Sequence, residues 1–453
     1  MIKITEIKKN NSSVFEIQYF NSDNKLTSSQ IINYKTYSLP TKQNNTTYML
    51  YDSNMVPVSN VFNFINGEMS SQPDTSKEKA LYALKFLYCY SELMGCDIAN
   101  LSQTDINNLK YFLEGVSPKT GNMELDLITH RSKETCNGYL SVYRNYLSFL
   151  GCSNSYLFDI LHNKSRSFIS TSEVEVTKSR YKASEKTYTP ENEIPKYISV
   201  EEFRNILHIV RDKYGIREEC IIRLMFQCGL RIGEVLGLTL DDLIVEKIND
   251  KYIPVAYIRN RVSDKYYQHA KTCMHPRTIK DYKLKDYGKK GYGFQMVILS
   301  EDIYQLINSY IDYSHDLARK TNLDKYNKCC KADRTRKTEL GEDDNYYVFL
   351  NTIQKPLSID IWNKTMREIF KEANLQIDVN TRENNLNHRF RHGFAMFHVK
   401  YLNTPMLELQ KKMRHKSLSS VFKYYNPTID DEIEIKNGFI EDLYTIIPEL
   451  RMV

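Results

Sequence analysis

Over residues 1–70 apolar and polar side chains alternate in short runs, as in Val14-Phe15-Glu16-Ile17-Gln18-Tyr19-Phe20, with turns rich in Asn, Ser and Asp between them. A period of two punctuated by turn residues predicts strands, so 1–70 reads as a β-rich module. Around Thr75 the period becomes helical. Thr75 and Glu78 have capping-box spacing ahead of Leu81, Leu84, Leu87 and Tyr88 on one face, and Gly95 marks the stop. Ser102 and Asp105 open a second helix ending near Gly115, and a third from Ser132 carries Leu140, Tyr143, Leu147 and Leu150 before Gly151. These helices predict an all-α domain over 72–165, on which Arg131, Lys133 and Arg144 are candidates for phosphate contact.

Across 166–197 the apolar periodicity fades among Ser, Thr, Lys and Glu, and Pro190 and Pro195 punctuate the end, the pattern of an interdomain linker. Ser199 with Glu202 repeats the capping-box spacing and opens a further domain over 198–430. Helical patterns dominate it, while 252–258 and 295–299 have strand composition and flank a basic stretch. The expectation is a mainly α domain with a small antiparallel sheet. Residues 315–345, with Arg319, Lys320, Lys331, Arg334, Arg336 and Lys337, read as a surface insertion. The tail, 431–453, offers Phe439, Leu443 and Ile447 at helical spacing, a face able to dock on its own domain or on a neighbouring protomer.

Composition narrows the class without choosing a function. With 453 residues the chain suits two or three domains, and 41% hydrophobic with 26% charged residues argues against global disorder. A net charge of +6 permits nucleic-acid binding but does not demand it. No apolar run approaches the roughly 20 residues that span a bilayer, and the N-terminus lacks a signal-peptide pattern, so no membrane partner and a cytoplasmic location are expected. The nine cysteines include no Cys-x-x-Cys pair. Cys89, Cys220 and Cys228 sit in apolar helical patterns as small core residues, and Cys329 and Cys330 with Cys273 and His275 match no standard zinc spacing, so no metal is expected.

Chemistry concentrates in separated segments of the last domain. In Gly229-Leu230-Arg231-Ile232-Gly233-Glu234, Arg231 can grip a phosphate in bidentate fashion and Glu234, one turn on, can hold its neighbours in place. In Asn387-His388-Arg389-Phe390-Arg391-His392-Gly393, His388 and Arg391 lie one helical turn apart and can face one phosphate together, with His392 beside them in support. His415 precedes Tyr424 by nine residues. Each residue alone has a commoner structural meaning, and Tyr424 is one of 34 tyrosines.

Taken in order, these segments resemble the tyrosine recombinase (phage integrase) family over about 72–430. That family combines Arg-x-x-Glu, a lysine on a β-hairpin, His-x-x-Arg, a later His and a nucleophilic tyrosine about nine residues beyond. They map onto Arg231, Lys271, His388, Arg391, His415 and Tyr424. Lys271 is followed by Arg277 in a stretch longer and more basic than the usual hairpin, and Lys280, Lys289 and Lys290 compete for its place. Arg414 stands before His415 where relatives usually have glycine, a candidate DNA contact, and Tyr425 adjoins the nucleophile.

The resemblance implies a helical core-binding domain over 72–165, a catalytic domain over 198–430, and attack by Tyr424 on a DNA phosphodiester to give a 3′-phosphotyrosine. Arg231, Arg391 and His415 would stabilise the transition state, His388 assist removal of the Tyr424 proton, and Lys271 protonate the leaving oxygen. No cofactor is implied, because one ester is exchanged for another. The partners implied are double-stranded DNA carrying specific sites and three further protomers in a tetramer, with DNA-bending or directionality factors beside them. A mobile-element integrase fits the extra module at 1–70, which could serve arm-type DNA binding. Two alternatives stand beside it: a related type IB topoisomerase, and a DNA-binding relative without catalysis.

Overall fold

The structure is a computed structural model and describes residues 2–9, 12–40, 46–118, 123–153, 155–169, 172–185, 194–259, 294–332, 345–377, 386–415 and 417–425. The chain divides into two compact units, Met1–Tyr188 and Thr189–Val453. It combines a β-rich N-terminal region, a helical middle and a mainly helical second unit with a small antiparallel sheet.

In the first unit, β1 (Ile2–Lys9), β2 (Ser12–Phe20) and β3 (Leu26–Ile32) run antiparallel, β4 (Lys35–Pro40) and β5 (Thr46–Tyr51) form a separate hairpin, and β6 (Met123–Asp126) adds to β1 in parallel. The register sets Ile4 opposite both Ile17 and Leu125. Alternation turns that face inward. The helices are α1 (Ser59–Asn63), α2 (Asp74–Met94), α3 (Gln103–Glu114) and α4 (Lys133–Phe149). Ile4, Phe15 and Ile17 share one core with Leu84, Leu87, Leu109, Phe112, Tyr143 and Leu147. The strands therefore bury their apolar face on the helices, and the two stretches predicted as separate modules pack together.

Ser102 and Asp105 open α3 as predicted and form a capping box, Ser132 caps α4, and Gly95 and Gly115 end their helices at φ 63° and 73°. The box predicted at Thr75 is displaced: Pro73 holds the N-cap position and Thr75 falls inside the first turn of α2. Where 166–197 predicts a linker, β7 (Ile160–Ile169) and β8 (Ser172–Tyr181) pair as an antiparallel hairpin. In Glu173-Val174-Glu175-Val176 short apolar residues do alternate with charges, but too few in a row to stand out from a polar linker.

The second unit opens with α5 (Val200–Lys213), its Ser199–Glu202 capping box formed as predicted, then α6 (Ile216–Gln227) and α7 (Ile232–Leu236). Strands β9 (Leu243–Ile248), β10 (Lys251–Arg259) and β11 (Phe294–Ile298) make an antiparallel sheet in the order β11-β10-β9, where the sequence places strands on both sides of the basic stretch. There follow α8 (Glu301–Thr321), α9 (Leu323–Cys330), α10 (Ile359–Glu372), α11 (Leu386–Lys400), α12 (Met406–Lys412) and α13 (Ser419–Phe422). The core gathers Ile206, Leu224, Met225, Val235, Ile303, Trp362, Ile369 and Phe390. Gly393 lets α11 press close: a Cβ there would lie 2.5 Å from the Ile198 carbonyl oxygen and 2.6 Å from the Phe226 ring.

Residues 315–332 are not a surface insertion. They continue α8 and form α9, with Ala318, Tyr326 and Cys330 packed against Tyr346, Tyr347 and Leu350. Buried His315 joins Tyr326 Oη at 2.7 Å and the Val348 carbonyl at 3.0 Å. Of the basic residues that suggested an insertion, Arg319 and Lys320 close α8, whose other face is apolar, Lys331 bridges to Tyr346 just after α9, and Arg334, Arg336 and Lys337 lie outside the described residues. Residues 333–344 and the tail 431–453 lie outside the described residues. Among the described residues no helix is long and apolar enough to cross a membrane.

Candidate active site

Gly229 begins the site. Its φ of +59° turns the chain after α6, and a Cβ there would lie 2.7 Å from the Phe394 ring, so glycine alone fits without displacement. Arg231 then takes the N-cap of α7. Glu234 reaches back to the Arg231 backbone N–H at 2.8 Å and accepts from its Nη1 at 2.9 Å. This carboxylate is 2% exposed and also meets Arg414 Nη2 at 3.0 Å and Arg391 Nη1 at 3.7 Å. Burial pushes its pKa up, but Arg414, Arg391 and Arg231 outweigh that and hold it below the ordinary 4.5. One buried anion thus organises three guanidiniums, and the surplus charge is positive.

Helix α11 presents the second half. His388, Arg391 and His392 fall on one face by helical spacing, whereas Arg389 turns the other way, donating to the Gln376 carbonyl at 2.6 Å. Arg391 is 2% exposed; Nη1 donates to the Gly229 carbonyl at 2.5 Å and Nη2 to the Met413 carbonyl. His388 is exposed. Partial loss of water, then the charges of Arg391 and Arg231, lower its pKa.

Tyr424 follows α13 and is 1% exposed, packed with Phe394, Met413 and Val421. Its Oη lies 2.6 Å from Nδ1 of His392 in the same chain. The sequence assigns the tyrosine proton to His388; the structure sets His392 against the hydroxyl. Burial pushes the phenol pKa up, opposed by Arg391 and Arg231. Burial and the nearby charges of Lys423, His388 and Arg391 push His392 down to about 3, so its ring is neutral at physiological pH and able to take a proton. Tyr425 is spent differently, its hydroxyl donating to the Thr404 carbonyl at 2.5 Å. Of these two tyrosines, Tyr424 is the one that faces the arginine–histidine cluster.

His415 sits at the C-terminal end of α12, its N–H on the Gln410 carbonyl at 3.0 Å. Burial, then Arg391 and Arg231, push it down to about 3, and its buried Nδ1 has no hydrogen-bond partner among the described residues. Arg414, a candidate DNA contact by sequence, is 7% exposed and turned inward onto Glu234. Lys271 and Arg277 lie outside the described residues. The strand that leads to them ends in a buried pair, Arg259 Nε on Asp242 Oδ1 at 2.9 Å. Of the basic residues proposed on the helical domain, Arg131 stacks 3.8 Å over Phe86 and donates to the Leu113 carbonyl, and Arg144 is 8% exposed and stacks 3.9 Å over Tyr181. Exposed Lys133 pairs with Glu185 at 3.9 Å. The sequence names Gly229 without giving its carbonyl a role, and nothing local marks it as the acceptor for two arginines.

Comparison with known proteins agrees on one family. The phage integrase family model matches residues 196–430, more than half of the chain. A tyrosine recombinase XerC of Caldanaerobacter subterraneus subsp. tengcongensis is 23% identical over 237 residues, covering 52% of this chain and 48% of the relative. The XerC of Psychromonas ingrahamii is 36% identical over 63 residues, 14% of this chain and 20% of that one. The chain thus spans about half, or less, of the length of these curated relatives. Among solved structures, a Tn1549 transposon integrase in complex with transposon right end DNA aligns with 15% identity over 81% of this chain and 93% of that one, at a TM-score of 0.46. XerH recombinase bound to difH substrate aligns with 15% identity over 77% and 76%, at 0.44.

Proposed function

Because this chain belongs to the phage integrase family, whose model matches it across the catalytic domain, we propose that it is a tyrosine-type site-specific recombinase that cuts and rejoins double-stranded DNA. The observation that carries this reading is the Tyr424 hydroxyl, 2.6 Å from His392 Nδ1 and buried beside the guanidiniums gathered on Glu234. Attack forms the bond from Tyr424 Oη to phosphorus and breaks the bond to the 5′ oxygen. The phenolic proton passes to His392, and Lys271 gives a proton to the leaving oxygen. Arg231 and Arg391 neutralise the charge that grows on the phosphate, His415 adds a hydrogen bond, and exposed His388 meets the phosphate rather than the phenol. One ester replaces another, so the 5′-hydroxyl of a partner duplex reverses the step without a nucleotide cofactor.

Exchange between two duplexes calls for four protomers on paired specific sites. The β-rich N-terminal region and the long span between β10 and β11 suit an integrase that moves a mobile element.

A nicked half-site substrate, which loses its short leaving strand after cleavage, tests this. Wild-type protein should accumulate a covalent DNA adduct, Tyr424→Phe should form none, and Tyr425→Phe should keep it. No adduct with wild type, or an undiminished one with Tyr424→Phe, overturns the reading. Adduct with relaxation but no exchange between duplexes identifies a topoisomerase instead.

A further inference from the structure

We propose that Arg414 is a positioning residue for cleavage: it locks Glu234 and the Gly229 carbonyl, and through them Arg231 and Arg391, to the turn that carries His415. This rests on the reading of Tyr424 as nucleophile. Helix α12 ends in a paired-bond cap, with Arg414 N–H on the Lys411 carbonyl at 3.0 Å and His415 N–H on the Gln410 carbonyl at 3.0 Å. Arg414 holds the left-handed position of that cap at φ +56°. Glycine adopts this conformation freely, whereas a side chain meets its own backbone there.

A solvated arginine would gain nothing in return for that strain. This one is buried and makes specific bonds: Nη2 to Glu234 Oε2 at 3.0 Å and to the Gly229 carbonyl at 2.8 Å, Nη1 to the Lys412 carbonyl at 3.1 Å. Arg391 uses the same two acceptors, with Nη1 2.5 Å from the Gly229 carbonyl and 3.7 Å from Glu234 Oε2. The other oxygen of Glu234 holds Arg231. Arg414 therefore fixes both groups that orient the phosphate clamp, and ties them to His415 next to it in the chain. Clamp arginines that are free to shift lose the alignment on which in-line attack depends.

The test measures adduct formation on the nicked half-site at saturating DNA for wild type, R414G, R414K, E234Q and R414G/E234Q. Glycine suits the backbone at 414, so R414G should keep its fold, which thermal unfolding checks. R414G should slow adduct formation by about 10- to 100-fold with DNA affinity and salt dependence unchanged, the pattern of an effect confined to the transition state. R414K should recover part of the rate, because one ammonium reaches Glu234 but cannot reproduce the guanidinium fork. The R414G and E234Q losses should be less than additive. An undiminished rate in R414G overturns the proposal. So does weaker binding with a shallower salt slope and full rate at saturation, which would make Arg414 a DNA phosphate contact. Fully additive losses would show that it does not act through Glu234. A wild type that forms no adduct brings down the nucleophile reading itself, whereas wild-type adduct with an unaffected R414G removes only the role of Arg414.

Discussion

In the proposed mechanism His392 and Tyr424 are the pair that exchanges the proton, and their environment sets their protonation. A neutral imidazole on a buried phenol can take its proton as the oxygen attacks. His392→Ala should slow adduct formation by about 100-fold or more while DNA affinity holds, read from single-turnover rates at saturating DNA; a rate within about twofold of wild type would rule out proton transfer to this ring. The same environment makes stability depend on pH. His392 and His415 hold a proton at their ordinary 6.5 when unfolded but only near about 3 when folded. As pH falls below 6.5 the unfolded chain takes up these protons first, so their contribution is complete above that value and is lost toward pH 3. Glu234, held below 4.5 in the fold, contributes above 4.5 and loses that contribution as pH falls through its lowered pKa. Thermal midpoints of the second unit should therefore drop from about pH 7 to about pH 4, and drop less in His392→Gln; parallel profiles would contradict the assignment.

Helix placement depends on a few close approaches. Gly393 sits where α11 meets the chain entering α5, and a side chain there would bring its Cβ to 2.5 Å from the Ile198 carbonyl oxygen, an atom that cannot rotate away. Gly393→Ala should destabilise the second unit by about 1–3 kcal/mol despite alanine's better helix propensity, as overpacking outweighs it. Calorimetry gives the value, and a neutral or stabilising result would mean α11 can back away at no cost. The amphipathic elements were legible from sequence because local repeats suffice: α3, α4 and α5 begin at their predicted caps, and β10 and β11 flank the basic stretch. The hairpin of β7 and β8 was not, because its apolar residues are sparse. Nor was the packed state of α9, whose surface charges hide the apolar side that Tyr326 and Cys330 bury.

Each unit of the whole chain has a core of its own, the first built on Ile4, Phe15, Leu84 and Tyr143, the second on Leu224, Val235, Trp362 and Phe390. Residues 1–188 expressed alone should unfold in one cooperative transition, whereas 1–70 alone should not, because its strands bury their apolar face on α2 to α4. Circular dichroism melts of the two fragments decide, and a cooperative melt of 1–70 would restore it as an independent module. The sequence by itself determined the types of the strongly periodic elements and the order of the segments proposed to be catalytic, since periodicity, caps and spacing are properties of neighbours along the chain. Tertiary structure decided that His392 rather than His388 meets the Tyr424 hydroxyl, that Tyr425 is engaged by Thr404, that strands and helices of the first unit share a core, and that Arg414 turns inward. These outcomes rest on contacts such as Arg414 to Glu234, 180 residues apart, and no local pattern encodes which distant side chains share one buried carboxylate.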